Sequence, residues 1–149
     1  MKKIITIAFL VLIFKTNAQT DLFEKIKNTM KIEHPEIKLD NKLISINIWN
    51  SSNQDSRDAN KQFNKAYSVY EFAKLKGGLK GIICVTINKL QENASIILTK
   101  DGATKIIVIN TIKVEESLNN IVFDQQGNEV YKNIATDKIF ESINKLITR

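Results

Sequence analysis

Apolar residues along the chain fall into blocks with two different periods. From residue 21, Leu22, Phe23, Ile26 and Met30 recur at helical spacing, which predicts a short helix ending before Pro35. Leu43, Ile44, Ile46 and Ile48 form an apolar, largely β-branched run closing at Trp49, the pattern of a buried strand. The polar stretch Asn50–Ser56 follows, and its side-chain oxygens suit the unpaired N–H groups of a helix start. Ala59, Phe63, Ala66, Tyr70 and Ala73 then share one helical face, and Gly77-Gly78 is expected to stop that helix.

Ile82–Ile87 is a second continuous apolar run of strand length, with Cys84 in its middle. Residues 89–102 support two readings: a helix through Ala94, Ile97 and Leu98 closed by Gly102, or a hairpin turning at Asp101-Gly102. Ile106–Ile109 reads as a strand either way. Ile121-Val122-Phe123 and Glu129-Val130-Tyr131 flank Asp124-Gln125-Gln126-Gly127-Asn128, a hairpin signal. Thr136 is expected to cap a last helix bearing Ile139, Phe140, Ile143, Leu146 and Ile147 on one face. Strands alternating with helices predict an α/β fold whose sheet is partly parallel, with an antiparallel edge from the late hairpin and helices on both faces.

The N-terminus has a different character. Lys2 and Lys3 precede an almost wholly apolar run, Ile4–Phe14, and Thr16-Asn17-Ala18 offers a cut before Gln19. Residues 1–18 read as a signal peptide, because the run is shorter than the roughly 20 residues that span a bilayer. Residues 19–149 make one domain. Without Lys2, Lys3 and Lys15 the formal charge falls from +6 to about +3, with the lysines dispersed. That pattern gives no reason to expect nucleic acid as a partner, nor a membrane after cleavage. The expected location is periplasmic or secreted, and the Ile, Asn and Lys bias points to a bacterial source.

Sulfur limits the chemistry most sharply. Cys84 is the sole cysteine and His34 the sole histidine. One thiol allows neither an intramolecular disulfide nor a dithiol cycle, and metal-ligand spacing is missing. No cofactor is called for.

Ile37–Trp49 resembles the leading strand of periplasmic thioredoxin-like thiol–disulfide oxidoreductases, in which an aromatic strand end and a short turn lead into the redox helix. Val122–Val130 is similar to that family's hairpin, and with the terminal helix the resemblance covers residues 37–149. It implies a thioredoxin-like domain over 19–149, with a mixed sheet flanked by helices on both faces. It also implies that the family's Cys-x-x-Cys falls at Asn53 and Ser56, with Arg57 in the adjoining basic slot, and that its cis-proline falls near Leu118 in Glu116–Asn120. A helix N-terminus stabilises a thiolate, but an amide and an alcohol gain little from that field. Leu118 is expected in a trans loop.

These positions leave two functional readings. In the first, the domain is a non-catalytic binding module: the turn at Trp49, Ser52, Asn53 and Arg57, together with Leu118, engages a protein, an extended peptide or a small ligand. Trp49 is either partly exposed beside that turn or a cover for the core, and free N–H groups with Arg57 could receive an anion. In the second, Cys84 serves a single-thiol peroxidase or thiol-transferase. Its apolar neighbours Ile83 and Val85 argue instead for a buried, unreactive thiol.

Overall fold

The computed structural model describes residues 21–90 and 94–148. The expected signal peptide lies outside them. Helix α1 (21–33) buries Phe23, Ile26 and Met30, the residues its period selected. Strand β1 (Leu43–Trp49) and strand β2 (Ile82–Asn88) are buried along their whole lengths and pair in parallel, from Leu43 with Ile82 to Trp49 with Asn88. Burial on both faces is what their continuous apolar runs require. Helix α2 (Gln54–Tyr70) joins them. Helix α3 (Ala94–Lys100) and the short strand β3 (Ile107–Val108) follow, then the hairpin β4 (Asn120–Phe123) and β5 (Glu129–Lys132), and helix α4 (Ile139–Asn144).

The sheet order is β3-β2-β1-β4-β5, with β1, β2 and β3 parallel and β4 and β5 antiparallel to their neighbours. Side chains alternate across a strand, so contacts assign the faces. Asn47 and Thr86 reach Asn60 on α2, whereas Phe123, the partner of Ile44, packs its ring 5.3 Å from that of Phe23 on α1. Helices α1 and α2 therefore cover opposite faces. Helix α4 lies beside α2, where Phe140 stacks on Tyr70 at 5.4 Å and the Tyr70 hydroxyl donates to Asn144 Oδ1 at 2.7 Å.

Of the two readings of residues 89–102, the helical one holds. Gly102 closes α3 with φ of +73°, and Ala103 N–H returns to Leu98 O at 2.8 Å. Two helices end earlier than their periodicity predicts. Helix α2 stops at Tyr70, so Ala73 lies beyond it, and α4 stops at Asn144, short of Leu146 and Ile147. Both departures have one cause, for the two segments pair with each other. Lys76 N–H donates to Leu146 O at 2.9 Å, Thr148 N–H to Lys74 O at 2.8 Å, and Leu75 bridges Ile147. Thr136 does not cap α4; it opens a 3₁₀ turn (Thr136–Lys138) that has no side-chain cap.

Candidate functional site

The C-terminal end of β1 lies beside that of its parallel neighbour β2, and open α/β sheets commonly bind ligands outside the carboxyl ends of their parallel strands. On its other side β1 pairs antiparallel with β4. Three segments meet there. The first is the turn between β1 and α2. Asn50 Oδ1 accepts from Ser52 N–H at 2.9 Å, Asn53 N–H donates to Asn50 O at 3.0 Å, and Asn53 Oδ1 accepts from Ser56 N–H at 2.9 Å. Asn53, at φ −105° and ψ +119°, is the N-cap of α2. Asn53 and Ser52 are exposed and Ser56 half-buried, and Ser56 O accepts from Asn47 Nδ2 at 3.5 Å.

The second segment is the loop before β4. Ile48 N–H donates to Asn119 O at 2.5 Å, which draws Ser117–Asn120 against the end of β1. Asn120 fastens the far side, its amide exchanging bonds with Ile134 O at 3.0 Å and Ile134 N–H at 2.8 Å. Peptide bonds among the described residues are all trans, Leu118 included. The third segment follows β2: Lys89 N–H donates to Trp49 O at 2.8 Å, and Lys89 Nζ to Glu116 O.

Two cavities open on either side of residues 113–118. One, of ≈ 460 Å³, is bordered by Asn50, Asn88, Lys89 and Leu90; the other, of ≈ 580 Å³, by Leu22, Ser117, Leu118 and Ile121. Lys113 and Val114 border both. Asn50 and Leu118 thus belong to one end of the sheet but face different hollows.

Of the two readings of Trp49 the core cover holds, and the exposed ligand-packing one needs correction, as does the anion role of Arg57. Trp49 is wholly buried, because α2 lies over the end of β1, so its ring offers no surface to a ligand. Arg57 is not free to receive an anion, because its guanidinium already holds Asp101 at the end of α3. Nε donates to Oδ2 at 2.7 Å and a terminal nitrogen to Oδ1. Asp101 has its carboxyl held below the usual range chiefly by that hydrogen bond, and the same bond raises Arg57.

Neither thiol-type nor serine-type nucleophilic chemistry is assembled here. His34 lies elsewhere, with Nε2 3.4 Å from Val108 O and Nδ1 3.6 Å from Glu36, and so provides no base for Ser56. Cys84 is inaccessible in mid-strand, and burial pushes its thiol up to about 12, with Ser45 opposing only part of this. Among the described residues no group of three or more His, Cys, Asp or Glu could hold a metal ion, and no helix is long and apolar enough to cross a membrane.

Sequence reasoning missed the buried polar set Asn47, Asn60, Thr86 and Asn88. Its signal was present: polar residues at alternate positions of two otherwise apolar strands, 45 and 47 on one and 86 and 88 on the other.

The fold is thioredoxin-like, a five-stranded mixed sheet between helices, and with one cysteine the chain lacks a dithiol redox centre. It is similar to the thioredoxin domain of a thiol–disulfide oxidoreductase from Bacteroides vulgatus, with TM-score 0.54 and 12% identity over 72% of this chain and 81% of that one. It is also similar to a thioredoxin-like protein from Parabacteroides distasonis, with TM-score 0.50 and 16% identity over 69% and 80%. No family model and no curated protein sequence matches the chain. A single cysteine cannot run a dithiol cycle, so classical dithiol oxidoreductase activity is not expected of this protein.

Proposed function

We propose that this chain is an exported, redox-inactive binding module, which uses the turn Asn50–Ser56 and the loop Ser117–Asn120 to engage an extended peptide or small ligand. The observation that carries the reading is the bond from Ile48 N–H to Asn119 O, which holds that loop at the same end of β1 as the hydrogen-bonded, capped turn. An exposed Asn53 and a half-buried Leu118 give the surface polar and apolar contacts without a nucleophile. The signal-like residues 1–18 support a periplasmic or secreted location. Capture from an extracytoplasmic extract in the presence of reductant tests the assignment, with Asn53→Lys and Leu118→Glu compared with the parent. A partner retained by the parent and lost by either variant supports it. Equal retention by all three removes the site from this surface.

A further inference from the structure

The buried polar set beneath α2 has a chemistry of its own. Asn47 and Thr86 are Cα partners on β1 and β2, and both donate to Asn60 Oδ1 on α2, at 2.8 and 2.9 Å. That oxygen is saturated, while Asn60 Nδ2 is buried with no partner. Two residues further along both strands, on the same face, Trp49 and Asn88 are again Cα partners, and Trp49 Nε1 and Asn88 Nδ2 are buried without partners as well. Three buried N–H donors thus lie on one face of the β1–β2 ladder, Asn60 on α2 and Trp49 and Asn88 at the ladder's C-terminal end, where Asn88 borders the ≈ 460 Å³ cavity. Buried donors are nearly always paired, with protein or with ordered water.

Reassigning amide orientations does not remove the demand. Turning Asn60 over would set its nitrogen against the Asn47 amide nitrogen, donor to donor, even though Thr86 Oγ1, which also lies 3.3 Å from Asn47 O, could accept from it. Turning Asn88 over would set an amide nitrogen against Leu90 N–H, which now donates to Asn88 Oδ1 at 3.2 Å. What these groups lack is a small acceptor. The donors are all neutral, and none of the three belongs to a cation, so an anion here would be buried without a counter-charge. We propose that Asn60, Asn88 and Trp49 bind internal water beneath α2, as a built hydration site of the fold.

Trp49 is the sole tryptophan, so its indole N–H gives a unique NMR resonance. Cross-relaxation between that proton and water is measured on the purified protein and on Thr86→Val in laboratory-frame and rotating-frame experiments. Their relative signs separate dipolar contact with a long-lived water from exchange of the indole proton itself, while the variant removes relay through the Thr86 hydroxyl. The expected result is a dipolar cross-peak, with an indole shift that does not move when chloride is replaced by another anion. Absence of the cross-peak overturns the proposal. So does a through-bond coupling from the indole N–H to Asn88, which would show a direct pair, or a chloride-dependent shift, which would identify an anion.

Discussion

Arg57 and Asp101, 44 residues apart, meet through two parallel N–H to carboxylate bonds that tie the first turns of α2 to the C-terminal end of α3. The pair fixes the rim of the candidate site and uses the charge that would otherwise draw an anion to it. Asp101 is held below its ordinary value of 3.8 in the folded protein. A depressed carboxylate contributes stability that is present above the unfolded value and is lost as pH falls through the folded one. Asp101→Asn is therefore expected to melt below the parent at neutral pH, with the two melting curves converging as pH drops below about 4. A gap that stays constant down to strong acid would show that the pair does not contribute in this way.

Asn53 acts on stability through its cap. Asn53→Ala should cost about 1 kcal/mol, and Asn53→Asp should retain nearly all of the stability, because a carboxylate accepts the same Ser56 N–H and suits the helix N-terminus. Urea denaturation of both variants checks the order. Equal losses would mean that the bond to Ser56 is not what stabilises the turn.

The sequence made much of the fold readable and less of the site, for reasons that particular residues show. The hairpin was legible because Asp124 and Gly127 carry it locally: Asp124 Oδ1 accepts from Gln126 and Asn128 N–H, both at 2.9 Å, and Gly127 supplies φ of +84°. Strands β1 and β2 were legible because burial on both faces leaves apolar runs. The ends of α2 and α4 were not, since pairing between 74–76 and 146–148 overrides a local period. Arg57–Asp101 depends on a contact between segments 44 residues apart, which no spacing reveals.

Gly81 tests the packing that ends α2. Its φ is +96°, and a Cβ placed there would lie 1.8 Å from Glu71 O, the backbone just beyond the helix. Gly81→Ala must move main chain rather than a side-chain tip, so it is expected to destabilise by more than about 1 kcal/mol. Gly78→Ala makes a useful comparison, because its φ is also positive (+83°) but nothing lies within 4 Å of the added carbon. The loss at Gly81 should be the larger of the two when both are measured by thermal and chemical unfolding.

Cys84 is expected to resist thiol reagents at neutral pH until the protein is unfolded. A thiol moved from 9.0 to about 12 presents about 1000-fold less thiolate at a given neutral pH, besides being enclosed. The unfolded chain sheds this proton first, so between about pH 9 and 12 the folded state should lose stability as pH rises. Tyr67, pushed from 10.0 to about 12 chiefly by burial, acts in the same direction. Cys84→Ala should flatten part of that alkaline decline. Rapid labelling of the native thiol would instead support a single-thiol enzyme.

Reduction of insulin disulfides by the purified protein, with dithiothreitol as electron source, bears most directly on the loss of dithiol chemistry. The rate of precipitation is expected to equal that with dithiothreitol alone at every protein concentration. Acceleration in proportion to added protein, in a preparation free of other thiol proteins, would contradict it.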